Sequence, residues 1–196
     1  TKEVIDPLLL IGSNVLLEVK SFIDIYPRIS GTHKNKKATH YINARLTEFG
    51  YHTVIDTFTN ETPKGATVFN NVLAFLNPPA TNVILLASHI DTKYGLPDSF
   101  QGANDSGSST GLLIEIARLL SHVPLNNWGI IFAFLDGEEC IENYSPDDGL
   151  YGSKQLVLWL KKTNLIHFIK SAIVLDMIGD KDLTITIPPN TDPYLV

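Results

Sequence analysis

The chain has 196 residues, 44% of them apolar, and a formal net charge of −6. That length allows one domain with a real hydrophobic core. No apolar run reaches the length of a membrane-spanning helix. The absence of a basic stripe argues against nucleic acid as a partner, and a single cysteine, Cys140, excludes an internal disulfide and thiolate zinc motifs.

In chain order, apolar residues at helical spacing predict a helix over Pro7–Ile25, a loop over Tyr26–Thr32 and a second helix over Lys36–Phe49, stopped by Gly50. Lys34-Asn35-Lys36-Lys37 reads as a solvated helix start. Residues 51–58 alternate and read as a strand, 59–67 as a polar turn, and 68–76 as a second strand. Asn82–Ser88 and Trp128–Leu135 are apolar on both faces, as in buried central strands. Between them lie a polar loop, His89–Asp105, and a helix, Ser106–Ser121. A helix over Tyr151–Lys162, a buried strand over Ser171–Leu175 and a further strand over Asp182–Ile187 complete the prediction. Apolar strands alternating with amphipathic helices imply an α/β fold, a mostly parallel sheet with helices on both faces. Such sheets bind ligands at the carboxyl ends of their strands.

Those ends carry the chemistry. Ser88-His89-Ile90-Asp91 follows the first buried strand, Asp136-Gly137-Glu138-Glu139 the second and Asp176 the third, while Asp105 sits at a loop-to-helix junction. Taken singly, Asp105 reads as a helix cap, His89 as a hydrogen-bonded structural histidine, Glu138-Glu139 as a solvated loop and Asp176 as a turn cap. Gathered at one sheet edge they read as one site, because clustered carboxylates repel unless a cation compensates them. A histidine with aspartates and glutamates suits zinc. Asp91 is close enough to hold the second ring nitrogen of His89. The adjacent Glu138 and Glu139 allow one carboxylate to ligate and the other to act as general base. His33, His40, His52, His122 and His167 lie away from these ends. A Walker lysine and a Gly-x-Ser-x-Gly elbow are both missing.

Ser88-His89-Ile90-Asp91, Gly102-Ala103-Asn104-Asp105-Ser106, Asp136-Gly137-Glu138-Glu139 and Leu175-Asp176-Met177 resemble the successive motifs of the zinc aminopeptidase superfamily that includes the glutaminyl cyclases. Pro27–Thr32 resembles the loop before that group's second helix. Asp56–Gly65 with Phe69-Asn70-Asn71-Val72, and Tyr144–Ser153, are similar to segments of the cyclase branch.

The resemblance implies a single zinc-exopeptidase-like domain over 1–196, the N-terminal two-thirds of the family domain. It implies Asp105 and Glu139 as zinc ligands, Glu138 as acid/base, and Asp176 as a catalytic carboxylate or a second-metal ligand beside His89. It also implies a cis peptide at Asp105–Ser106. Tyr144 stands where the cyclases commonly place a Trp that walls the substrate pocket. The family's last zinc-ligating histidine lies beyond Asp176, and this sequence has no histidine after His167. The implied activity is zinc-dependent conversion of an N-terminal Gln of a peptide or protein to pyroglutamate with release of ammonia. The alternatives are a two-zinc aminopeptidase using His89, Asp176, Asp105 and Glu139, and an inactive, truncated peptide-binding relative; without the family's last histidine, little cyclase activity is expected of this chain. Self-association through a face left uncovered is expected. The chain shows no signal sequence from Thr1, and a removed one would make the protein secreted or periplasmic.

Overall fold

The computed structural model describes residues 12–78, 80–185 and 191. Its elements are α1 (Gly12–Ile23), α2 (His33–Glu48), β1 (His52–Thr62), β2 (Gly65–Leu76), β3 (Asn82–His89), α3 (Ser109–Leu120), β4 (Trp128–Leu135), α4 (Tyr151–Lys162) and β5 (Ile169–Val174). The sheet order is β1-β2-β4-β3-β5. β4, β3 and β5 form the expected parallel core. β1 and β2 join it as an antiparallel pair, with β2 against β4.

Helices cover both faces, which is why β4 reads as unbroken apolar sequence. Its alternate residues Ile130, Phe132 and Phe134 face one way, into a core shared with Phe22 of α1, Ile42 and Leu46 of α2, and Leu113 and Ile114 of α3. Ile131, Ala133 and Leu135 face the other way, onto Leu156 and Leu160 of α4. Gly111 lets α3 meet α1 closely, since a β-carbon there would lie 2.8 Å from the Val19 backbone nitrogen. At that separation the two helices could not keep their present spacing.

Four sequence expectations change. The strand predicted as buried over Ser171–Leu175 is the edge strand β5, with Ile173 and Val174 exposed, because nothing pairs with its outer side among the described residues. The residues predicted as the polar turn 59–67 mostly belong to the hairpin: Thr59 pairs with Val68 and Glu61 with Ala66, leaving only Pro63 and Lys64 between the strands. Hydrogen bonding to a neighbouring strand extends β structure past the point where polar residues hide the alternation. Over Asp182–Ile185 the chain forms a turn and irregular structure, not a strand, and it has no place among the sheet's paired strands. Thr186 and Ile187 lie outside the described residues, as do Pro7–Ile11 of the first predicted helix. Asn35 is also not solvated: Lys34, Lys36 and Lys37 are exposed, but Asn35 is fully buried.

Candidate metal centre

Parallel pairing puts the ends of β3, β4 and β5 at one edge. His89 closes β3 opposite Leu135 of β4, and the Leu175 N–H donates to Ala87 O at 2.8 Å, carrying Asp176 to the same level. Asp105 arrives from the other side, in a wide turn over Ala103–Ser108 that leads into α3. Its φ and ψ of −108° and 98° leave helical geometry, and the Asp105–Ser106 peptide is cis, as the resemblance implies. α3 starts without a side-chain cap, so Asp105 is not serving as one.

Local hydrogen bonds lock these segments together. Thr110 Oγ1 donates to His89 O at 2.8 Å, fixing β3 to α3. The Gly179 N–H donates to Asn104 Oδ1 at 2.7 Å and the Ile178 N–H to Ser108 Oγ at 3.2 Å, holding the stretch after Asp176 against the turn that carries Asp105.

The structure therefore brings His89, Asp105 and Asp176 together, with one potential ligand atom from each within 4.8 Å of the others. His89 Nε2 is 2.8 Å from Asp105 Oδ1 and 3.5 Å from Asp176 Oδ1. Neither ring nitrogen makes a properly directed hydrogen bond, and both are buried without such a partner among the described residues. Burial alone would lower the His89 pKa, but Asp105, Asp176 and Asp91 override it and hold the imidazole well above its usual value. His89 in turn holds Asp176 below the usual carboxylate range. A buried imidazole with unsatisfied nitrogens beside two carboxylates is a donor set suited to a divalent cation such as zinc.

Asp91 does more than the sequence suggested. Its Oδ1 stands 3.5 Å from His89 Nδ1. Its two oxygens also accept the backbone N–H groups of Glu138 and Glu139, each at 3.1 Å. One buried carboxylate thus fixes the backbone of the paired glutamates and faces the histidine ring. Glu138 and Glu139 reach the site, but Glu139 is not within the close His89–Asp105–Asp176 group. Burial raises the Glu138 carboxyl. Burial, followed by Asp105, Asp91 and Glu138, pushes Glu139 up to about 7. The Tyr144 hydroxyl bridges the pair, 3.0 Å from Glu138 Oε2 and 3.3 Å from Glu139 Oε2. Lys93 adds a cation 3.5 Å from Glu139 Oε2 and donates to Cys140 O at 2.6 Å.

Several supporting residues carried no sequence signal of their role. Arg28 is fully buried over the Phe22 ring and donates to three carbonyls: Ile90 O at 2.9 Å, Gln101 O at 2.7 Å and Gly102 O at 3.2 Å. These flank His89 on one side and the Asp105 turn on the other. Burial lowers its pKa to about 10, against the pull of Asp91 and Asp105. Gly102, at φ +57°, leaves room for this clamp, since a β-carbon there would lie 3.0 Å from the Arg28 guanidinium and 2.4 Å from Asp105 O. Asp136 accepts from Ser30 Oγ at 2.7 Å, Asn35 Nδ2 at 2.8 Å and the Asn70 N–H at 2.9 Å, tying β4 to α2 and β2. Asp148 accepts the N–H groups of Ile141, Glu142 and Asn143, which shapes the loop that presents Tyr144. The five remaining histidines, 33, 40, 52, 122 and 167, are all exposed and outside the site.

Comparison with known proteins agrees with this architecture. The chain is 30% identical over 173 residues to a glutaminyl-peptide cyclotransferase of Drosophila melanogaster, covering 85% of this chain and 49% of the relative. It is 33% identical over 171 residues to a glutaminyl-peptide cyclotransferase-like protein of Bos taurus, covering 78% and 44%. The chain thus spans about half the length of the curated relatives it matches. Among solved structures, an Acidobacteriales bacterium glutaminyl cyclase superimposes with a TM-score of 0.87 at 35% identity, over 94% of this chain and 64% of that one. A Zn-dependent exopeptidase from Parabacteroides distasonis gives 0.76 at 25% identity, over 89% and 64%. The sequence profile of peptidase family M28 matches residues 71–194, a span that holds His89, Asp105, Glu138, Glu139 and Asp176 together, and the chain belongs to that family.

Proposed function

We propose that this chain carries the catalytic centre of a zinc-dependent glutaminyl-peptide cyclotransferase, which closes the N-terminal Gln of a peptide or protein to pyroglutamate and releases ammonia. The observation that carries the reading is the juxtaposition of a metal-donor group with a separately held, protonatable carboxylate, Glu138. The likeness to glutaminyl cyclases gives that pair its substrate. His89, Asp105 and Asp176 would hold the cation, with Glu139 close enough to feel the Asp105 charge. Zinc bound there would supply Lewis-acid polarisation of the side-chain amide carbonyl.

The remaining work falls to the chain's own side chains. Glu138 takes a proton from the α-amine as its nitrogen bonds to the side-chain amide carbon, Cδ, and then delivers that proton to the amide nitrogen as its bond to Cδ breaks and it leaves as ammonia. Burial favours the protonated state that the second step requires. The Tyr144 hydroxyl holds the carboxylate in place, and its ring forms an exposed wall of the site. Asp91, through the N–H groups it accepts, keeps the Glu138 backbone fixed during both transfers.

A second reading has a specific observation behind it. Asp105 stands 2.8 Å from His89 Nε2 and its charge also helps raise the Glu139 carboxyl, so it is near both groups that a two-zinc aminopeptidase would use. Zinc per chain and the fate of a Gln-peptide separate the two. One zinc with ammonia release supports the cyclase, while two zincs with free N-terminal Gln would replace it with the peptidase. Among the described residues no helix is long and apolar enough to cross a membrane. We place the protein in a secreted or periplasmic setting, which is tested by fractionation of the producing cells.

A further inference from the structure

The loop before α2 takes no part in the chemistry proposed above, yet its Arg28 is fully buried and spans the two segments that carry His89 and Asp105. The chain leaves β3 at His89 and comes back to the centre at Asp105, and in between Tyr94–Ser99 lie exposed. Arg28 grips this excursion at both ends. At its start, Arg28 Nε donates to Ile90 O at 2.9 Å, and the Arg28 carbonyl accepts the Thr92 N–H at 3.2 Å. At its finish, Nη1 donates to Gln101 O at 2.7 Å and Nη2 to Gly102 O at 3.2 Å. Arg28 is itself held from behind. Asn35 Nδ2 donates to Arg28 O at 3.2 Å, and the Phe22 ring centre lies 4.4 Å from the guanidinium carbon. A guanidinium offers its donors in a rigid planar fork, so three carbonyls bound at once fix the two segments relative to each other. The same buried cation interacts with Asp91 and Asp105, and it offsets part of the repulsion among the clustered carboxylates.

We propose that Arg28 is a positioning residue of the metal centre, which holds the His89 and Asp105 segments at ligating separation before any cation binds. The inference rests on reading His89 and Asp105 as metal donors, and it applies to a cyclase and a peptidase alike. With the clamp in place, His89 Nε2 and Asp105 Oδ1 stand 2.8 Å apart at the two ends of an exposed loop. Without it, the loop would let the donors separate, and metal binding would have to supply an ordering that the fold now supplies in advance.

The test titrates the protein with cobalt(II) alone, whose visible absorption reports the number and geometry of its ligands. It compares the unaltered protein with Arg28→Lys, Arg28→Met and Leu160→Ala, each checked for folding by circular dichroism. Leu160 packs on the α4 side of the sheet, and its truncation lowers stability without touching the clamp. Cobalt affinity should fall about 10–100-fold in both Arg28 variants, the usual cost of losing a group that orients a ligand, and the absorption band should change shape. Leu160→Ala should keep both. Lysine preserves the charge but cannot reproduce the fork, so full affinity in Arg28→Lys overturns the clamp. An equal loss in Leu160→Ala overturns it too, by reducing the effect to stability. A measurement on the unaltered, metal-free protein needs no variant to fold: the Thr92 amide should exchange as slowly as those of β3. Exchange as fast as that of Tyr94–Ser99 would show that nothing is held in advance. Binding that depends on His89, tested by His89→Ala, but not on Arg28 overturns this proposal alone. Absent binding, or binding undiminished in His89→Ala, overturns the reading of the centre itself.

Discussion

Asp91 and Glu139 are joined by a hydrogen bond of 3.1 Å from the Glu139 backbone N–H to Asp91 Oδ2, while the other Asp91 oxygen faces His89 Nδ1 at 3.5 Å. The strand ends that carry the metal donors and the paired glutamates are therefore held by one side chain. Asp91→Asn keeps the volume but offers a single acceptor oxygen where two N–H groups and a ring nitrogen now converge. Zinc affinity should fall about 10–100-fold, the usual cost of losing a partner that orients a ligating histidine. Competition with a chromophoric chelator measures it, and unchanged affinity would show that His89 is oriented by something else.

Glu138→Gln should lower the rate of cyclisation by about 10²–10⁴-fold, because the amide can neither accept the amine proton nor return it to the leaving nitrogen. Zinc content should be unchanged. Loss of metal along with activity would make Glu138 a ligand rather than the acid/base.

Arg28→Met removes a buried guanidinium that satisfies three carbonyls and leaves them without partners. Each unsatisfied buried group costs about 1–3 kcal/mol, so a loss of about 3 kcal/mol or more is expected in urea unfolding. The Ile90 and Gln101–Gly102 segments should also lose amide-exchange protection before the core strands do.

Asp148 gives a pH-dependent prediction. Burial acts to raise its pKa, but the three N–H groups it accepts outweigh that and hold it below the ordinary carboxylate value. A depressed folded-state pKa contributes stability above the unfolded value, near 4, that is lost as pH falls through the folded one. Asp148→Asn should therefore destabilise the protein by about 1–3 kcal/mol at pH 7. The difference should shrink as both proteins are unfolded at progressively more acidic pH. A gap that stays constant with pH would mean that the charge contributes nothing.

The β5 edge exposes Ile173 and Val174, and the stretch after it exposes Met177, Leu183 and Ile185, the last 80% accessible. An edge strand bordered by apolar side chains is a template for association. At tens of micromolar the 196-residue chain should self-associate in light scattering, and Val174→Lys with Ile185→Lys should return it to monomer. A monomer in the unaltered chain at that concentration would count against the edge as an interface.

The strands β3 and β4 and the helix α4 are legible in the sequence because their signals are local. Asn82–Ser88 and Trp128–Leu135 are apolar on both faces, and Tyr151–Lys162 repeats at helical spacing. The residues after those strands, His89, Glu138 and Asp176, were readable as one edge because parallel strands must end on the same side. Which of them touch was not readable. That Asp176 rather than Glu139 closes on His89 and Asp105 depends on strand order and on the bonds from Ile178 and Gly179 to Ser108 and Asn104. Asn35 sits in a polar stretch that looks solvated and Arg28 in a loop, and only packing shows that they are buried against Asp136 and Ile90, 101 and 62 residues away. Periodicity reports which face of an element is apolar. The partners that satisfy a buried polar group are set by distant chain segments, and those are fixed only once the sheet and its helices have closed around them.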